Sequence, residues 1–479
     1  MKKRCALLIA LFLFFIPAAW AEQVSITLIH INDLHAHILP DRRTGSTGMA
    51  VLSSFLKEQR GLDPDLLFLD AGDLVTGSAI DSLTRGEATY ELYDTLSPDA
   101  HVLGNHAFDH GLDVLFRNLS HARFPVLCAN YPFSQEQRER IRPYLIVERK
   151  GLRIAILGLT IQKRVKGIDF PEDPLETASR LQDKLNKEAD LTIALTHLGV
   201  DTDVTLAEHV PTLDIIVGGH SHTSLVQPRV VGNTYILQAG AFGEYAGKVR
   251  FTFDSEQRRI TAFDSSLAPL DGKTYPADPK VVASVLKFYA GCDVKMDEPV
   301  AEVDRDYSRT FVADLVVKQL WTRYRPDFSL VHLGGFREPL AAGTLYRDDL
   351  YRIFPFDNSI VKFSIPASAL TESLFTTQHT KWHNEPPLIS HPPFQQLRKY
   401  RDRDVTLAGS NYVVGLLEKA LGRTLITHPL DAPERSILEQ ALADRFPLKA
   451  PEARAACLWE RLSVFHGGMR VSDDMLDAR

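Results

Sequence analysis

Five short stretches bring together residue types that could do chemistry. NDLHAH holds Asp33, His35 and His37; DAGD ends in Asp73; GNHAFD holds Asn105, His106 and Asp109; THLG holds His197; GGHSH holds His220 and His222. Carboxylate oxygens and neutral imidazole nitrogens ligate divalent ions such as Zn²⁺, Mn²⁺ or Fe²⁺. These groups outnumber the needs of one ion and suit two that share a carboxylate. Two ions roughly 3.5–4 Å apart can activate a water while both hold a phosphoryl group. Glycines beside the ligands let the backbone turn sharply and leave space for a bound group. Singly, each residue reads as something plainer: Asp33 as a turn or N-cap residue, a lone histidine as a surface polar group. Asp70 competes with Asp73 as a strand-end carboxylate, and His37 reads as support for its neighbours. The order of all five clusters within one stretch is what points to a site. In an extended segment alternate side chains share a face, so Asp33, His35 and His37 are expected to point the same way.

Each cluster stands where an apolar run stops. The runs are VSITLIHI (24–31), DLLFLDAGD (65–73), RIAILGL (153–159), LTIALTH (191–197), DIIVGGH (214–220) and TYILQAG (234–240). Amphipathic helical stretches lie between some of them, as at 49–59 and 90–96. Strands buried on both faces with intervening helices imply a layered α/β domain, whose sites form where strands give way to loops. VRFTFDSEQRRITAF (249–263) reads as a closing hairpin, 264–279 as a linker, and PKVVASVLKFYAGC (279–292) as a helix bridging to a second domain. There, helical FVADLVVKQLW (311–321) leads to the strand FSLVHL (328–333), and NEPPLISHPPF (384–394) reads as a proline-rich loop.

At 479 residues the chain is too long for one ordinary core, so two domains are expected. Hydrophobic residues make up 44% and charged residues 24%, as in a soluble globular protein. The N-terminus differs: basic MKKR, apolar CALLIALFLFFIPAA (5–19), then the small-x-small AWA (19–21). This pattern is a bacterial-type signal cut after Ala21, and the run is too short for a spanning helix. The mature protein is therefore expected to be periplasmic or secreted, with no stable membrane anchor. Loss of three basic residues and no acids moves the formal charge from −7 to −10. Such a balance disfavours nonspecific nucleic-acid binding but leaves room for a small anion at a local cationic site. Cys128 reads as a small core residue, and Cys292 with Cys457 is the pair open to a disulfide.

With these motifs, the chain resembles the calcineurin-like metallophosphoesterases. More narrowly it resembles the 5′-nucleotidase, UDP-sugar hydrolase and 2′,3′-cyclic phosphodiesterase group over residues 24–255. The resemblance implies an α/β fold: a β-sandwich flanked by helices (αββα) with a second, smaller α+β C-terminal domain. The boundaries expected are 1–21 for the signal, 22–265 for the catalytic domain, 266–294 for a linker with bridging helix, and 295–479 for a substrate-binding domain. It also implies two divalent metal ions, of Zn, Mn, Fe or Co. Asp33, His35, Asp73 and His222 would hold one, and Asp73, Asn105, His197 and His220 the other, with Asp73 bridging. His222 stands where glutamine also occurs. His106 would face the scissile phosphate, with Asp109 orienting its ring.

The resemblance continues more weakly over residues 295–420. LGGFR (333–337) is similar to the family's N-x-G-G-[IV]-R and FPFDN (354–358) to its P-F-x-N, with Arg337 and Phe356 at the matching separation of 19. Arg305 and Arg309 of RDYSR, with Arg337, are the implied phosphate contacts, since guanidinium forks suit phosphate. Phe356 and Tyr412 are the implied rings for a base, and Asn358 is a further implied substrate contact. Two departures stand out: His332 replaces the usual asparagine, and no G-G-D-G-[YF] follows Tyr412, where VVGLLEKALG reads as helix. The expected substrate is a nucleotide phosphate ester. The alternatives are a nucleotide pyrophosphate or UDP-sugar, a cyclic phosphodiester, a thiosulfonate, or a nucleotide bound without turnover.

Overall fold

The computed structural model describes residues 23–39, 48–291, 295–296, 298–356, 358–371, 374, 388–400 and 403–448. The expected signal, Cys292 and Cys457 lie outside these residues.

Alternation along single strands builds the first half of the chain. In the strand Gln23–Ile31, Val24, Ile26 and Leu28 face one way into a core shared by two sheets, while Ile29 and Ile31 face a second core under helices. Leu152–Thr160 repeats this: Ile154 and Ile156 enter the shared core, Ala155, Leu157 and Leu159 the helical one. A strand covered on both faces reads as a continuous apolar run. Each large side chain so buried contributes about 1.5–3 kcal/mol.

One sheet has seven strands in the order Arg259–Pro269, Tyr245–Asp254, Gln23–Ile31, Leu67–Asp70, Ala100–Val102, Val126–Leu127, Ile141–Arg142. The other has six: Arg229–Val231, Thr234–Leu237, Ile215–Val217, Leu191–His197, Leu152–Thr160, Tyr144–Arg149. The helix Gly48–Leu62 covers the first sheet, and Pro174–Glu188 and Val200–His209 cover the second. The layers are therefore α/β/β/α, with the expected closing hairpin at Tyr245–Pro269.

The segment read as a linker packs instead. Its strand runs on to Pro269, and the helix Pro279–Ala290 puts Val281, Val282 and Val285 into the first core. An apolar helix face must be covered, and Gly48–Leu62 supplies the cover: Ser53 and Lys57 donate to Asp278, the N-cap of that helix. Cys128 is buried and unbridged, as a small core residue.

The second half is a smaller α+β unit. Its main sheet has the order Leu388–His391, Phe328–His332, Asp404–Ser410, Ser359–Pro366, Thr427–Pro433. The helices Arg309–Tyr324 and Glu434–Arg445 pack on one face through Val316, Leu320, Ile437 and Leu442; Asn411–Leu421 packs on the other through Val413 and Leu417. Within the stretch read as a proline-rich loop, Leu388–His391 is a strand, because its backbone completes the open edge of Phe328–His332.

Candidate functional site

The parallel strands of both sheets end at one edge, and the candidate residues follow those ends. The loop after Ile31 is not extended. Asp33, His35 and Ala36 have φ of 51°, 47° and 52°, and Asp73 has φ of 52°. Left-handed geometry at non-glycine residues stores strain and persists only when surroundings enforce it. Here Asp33, His35 and Ala36 donate backbone N–H groups to Gly72, Asp73 and Leu74 carbonyls at 2.8, 2.9 and 2.7 Å. The two loops are thus zipped together. The expectation that Asp33, His35 and His37 share one face is overturned: Asp33 and His35 turn toward Asp73, while His37 meets Glu338 at 2.8 Å. Asn32 Nδ2 fixes Asp33 by donating to its Oδ2 at 2.7 Å and to Gly240 O at 2.5 Å. Gly104 is needed at its position because a Cβ there would collide with the Asp73 carboxylate.

Three sets of potential ligands have donor atoms mutually within 4.8 Å: Asp33–His35–His222, His35–Asp73–His106 and Asp73–His197–His220. Asp73 Oδ2 lies 2.9 Å from His197 Nε2 and 3.9 Å from His35 Nε2, so it stands between the outer sets. His35 Nδ1 faces Thr76 O at 3.2 Å and His197 Nδ1 faces Ala71 O at 2.7 Å. A ring nitrogen facing a carbonyl carries a proton, which turns each Nε2 into the cluster. That of His35 is a lone pair; that of His197 faces the Asp73 carboxylate at 2.9 Å, which holds a proton there that a bound cation would displace. The Asn105 Oδ1 acceptor is buried with no hydrogen-bond partner among the described residues. This donor set fits divalent cations.

The electrostatics agree. Burial opposes charge on Asp73, yet His197 and His106 hold its carboxyl well below the usual range. Burial works against Asp33 too, and His222 keeps it low. Burial keeps His35 well below its usual value, helped by Arg337, and with His197 pushes His220 down to about 3. Both therefore stay in the neutral, ligating form. Burial also disfavours charge on His197, but Asp73 and Asp33 raise it to about 9. Two buried anions thus draw positive charge to one point.

Beside the cluster, His106 is the second residue of a single 3₁₀ turn, Asn105–Phe108. Its Nδ1 lies 2.5 Å from Asp109 Oδ2, and its backbone N–H donates to Asp73 Oδ1 at 2.9 Å. Asp109 is held well below the ordinary carboxylate range, since His106 and Lys163 outweigh its burial. Its carboxylate also accepts from Thr76 Oγ1 at 3.2 Å and Lys163 Nζ at 2.8 Å.

The second half closes over this edge. Arg337 Nη2 donates to His35 Nε2 at 3.3 Å, and the Phe356 ring lies 6.1 Å from that of His106. Arg309 donates to Phe336 O at 3.3 Å, beside Arg337. Tyr412 is on the first turn of the helix Asn411–Leu421, where the sequence lacks the glycine-rich signature, and is 50% exposed rather than core. Its ring pairs with His332 at 5.1 Å.

Two expected substrate contacts are engaged elsewhere. The Arg305 guanidinium is exposed and lies over Tyr307 at 5.0 Å. The Asn358 amide donates to Glu434 at 3.0 Å. Sequence reading missed Lys163, Thr76, Glu338 and Asn32. Lys163 had one usable signal: it follows the end of a parallel strand, like the ligands.

Residues 26–224 match the family model for calcineurin-like phosphoesterases, and residues 294–416 that for the 5′-nucleotidase C-terminal domain. The chain is 27% identical over 405 residues to a 5′-nucleotidase of Vibrio cholerae, covering 71% of this chain and 73% of that one. It is 27% identical over 445 residues to the protein UshA of Yersinia enterocolitica, covering 78% and 80%. In fold it is similar to the 5′-nucleotidase precursor of Thermus thermophilus, with a TM-score of 0.78 at 23% identity, covering 89% of this chain and 98% of that one. The Thermus thermophilus sulfate thiohydrolase SoxB gives 0.72 at 17%, covering 88% and 94%. Among the described residues no helix is long and apolar enough to cross a membrane.

Proposed function

As a calcineurin-like phosphoesterase joined to a 5′-nucleotidase C-terminal domain, the chain is a phosphoric ester hydrolase, and we propose that it is an exported two-metal enzyme releasing phosphate from nucleotide esters. The observation that carries the reading is the meeting of the three ligand sets, His106 and Arg337 at one edge. Asp33, His35, Asp73 and His222 would hold one cation, and Asp73, Asn105, His197 and His220 the other. Bound there, divalent ions would supply Lewis-acid charge and an activated water.

The chain's own groups do the rest. Arg337, with Arg309 beside it, orients the phosphoryl group through its planar fork. His106, supported by Asp109, stabilises negative charge on the phosphoryl oxygens or donates a proton to the leaving group. Phe356 and Tyr412 offer faces on which a base can stack. Export rests on the N-terminal pattern alone.

Hydrolysis of a nucleotide pyrophosphate bond is the second reading. It is favoured by Arg309 beside Arg337, two guanidinium groups where one monoester requires one. The test incubates purified mature protein with nucleotide monophosphates, UDP-sugars and cyclic nucleotides, with Mn²⁺, Zn²⁺ or chelator. Metal-dependent phosphate release from monophosphates is expected. Turnover of UDP-sugars alone would select the second reading, and no turnover of any would overturn both.

A further inference from the structure

Lys163 lies in the loop that follows the strand Leu152–Thr160, at the same edge as the candidate ligands. Its ammonium spans both ends of the His106 turn. Nζ donates to Asn105 O at 2.9 Å, where the turn begins, and to Asp109 Oδ1 at 2.8 Å, where it ends. Asp109 Oδ2, on the other side of the same carboxylate, meets His106 Nδ1. One cation therefore clamps the backbone before His106 and the acid that orients its ring.

The clamp is itself held. Lys163 N–H donates to the Tyr131 hydroxyl at 3.1 Å, and that hydroxyl donates to Ile161 O at 2.9 Å. Tyr131 is fully buried, and its ring stacks on Phe108, within the His106 turn, at 5.0 Å. Thr160 Oγ1 donates to Leu103 O at 2.6 Å, tying the strand end to the segment leading into that turn. A lysine kept only for solubility has no need of a fixed backbone and two charge-assisted partners.

We infer that Lys163 is a positioning residue, holding Asp109 and the Asn105–Phe108 turn so that the His106 ring faces the reacting phosphate. It acts through other residues and does not touch substrate. Groups held within a fraction of an ångström of productive geometry lose on the order of 10–100-fold in rate when released.

The inference rests on the phosphoesterase reading, and its test separates the two. Steady-state kinetics with p-nitrophenyl phosphate would be compared for wild type, Lys163→Met, Lys163→Arg, His106→Ala and the double variant His106→Ala/Lys163→Met. Thermal melts confirm folding. The expected result for Lys163→Met is a kcat lower by about 10–100-fold with KM within about twofold. Lys163→Arg should recover most of it, and Lys163→Met should add little in the His106→Ala background. A KM effect alone would instead make Lys163 a substrate contact. An equal kcat loss in both backgrounds, or no loss, also overturns the inference. Absence of wild-type turnover would fail the phosphoesterase reading itself and this inference with it.

Discussion

Arg337 Nη2 sits 3.3 Å from Nε2 of His35, although 302 residues separate the two. The guanidinium reaches from one half of the chain into the carboxylate and imidazole cluster of the other. Desolvation weakens its hold on its proton, and Asp73 and Asp33 oppose that. It therefore stays charged and adds a cationic arm for an anionic substrate beside the candidate ligand cluster.

Arg337→Ala is expected to lower kcat/KM by about 10²-fold, from the loss of a charge-assisted fork worth about 1.5–3 kcal/mol. Arg337→Lys should recover only a minority of the loss, because an ammonium cannot reproduce the planar pair of N–H groups. Phosphate-release kinetics check this. A lysine variant equal to wild type would show that charge alone matters.

Asp73 touches both outer ligand sets, so its charge would serve both ions of the proposed two-metal centre. Asp73→Asn should lower kcat by roughly 10³-fold or more, the scale of several kcal/mol of lost charge stabilisation. Elemental analysis should find fewer ions per chain than in wild type. Gly104→Ala should act likewise, by pushing the Asp73 carboxylate aside. Chelation should abolish activity and added Mn²⁺ or Zn²⁺ restore it. A fully metallated Asp73→Asn enzyme would contradict the bridging role.

These relationships were unevenly legible in the sequence. The strand ends were readable because burial on both faces leaves unbroken apolar runs, and a carboxylate or histidine directly after one is conspicuous. A layered α/β domain followed from the same runs, and the αββα arrangement only from the resemblance that the motifs carry. What escaped was geometry that one stretch cannot encode. Asp33 and His35 looked extended because their left-handed turn is imposed by the Gly72–Leu74 loop, distant in sequence. The helix Pro279–Ala290 looked like a bridge because its cover, Gly48–Leu62, lies far upstream. Lys163 and Glu338 are one cation among 54 and one acid among 61, and only their partners distinguish them. Asn358 matched a motif, yet its amide serves Glu434.

Glu338 joins the two halves at a second point. Its carboxylate meets His37 Nε2 at 2.8 Å, while His37 Nδ1 faces the Leu34 and His35 carbonyls and its ring packs on Phe242 at 4.6 Å. Glu338→Ala leaves a buried imidazole nitrogen without its partner, at about 1–3 kcal/mol. The expected outcome is a KM raised about tenfold with kcat nearly unchanged, since about 1.4 kcal/mol is tenfold in binding. His37→Ala should have a similar effect, and the double variant should be no worse than either. Additive losses would mean that the two residues act separately.

Glu434 makes stability depend on pH in an unusual direction. It opens the helix Glu434–Arg445 and is buried; burial pushes its carboxyl up to about 7, against hydrogen bonds from Asn358 and Ser410. In the unfolded chain the ordinary value, near 4.5, applies. Between these values the folded state binds more protons than the unfolded one, so stability falls as pH rises from about 4.5 to about 7 and then levels off. The size is on the order of 2–4 kcal/mol. Glu434→Gln keeps an acceptor for Asn358 without the charge. It should melt higher than wild type at pH 8, match it near pH 5, and flatten the pH dependence between. Parallel melting curves for the two proteins across that range would show that Glu434 keeps an ordinary acidity in the fold, and that Asn358 and Ser410 suffice to hold its charge.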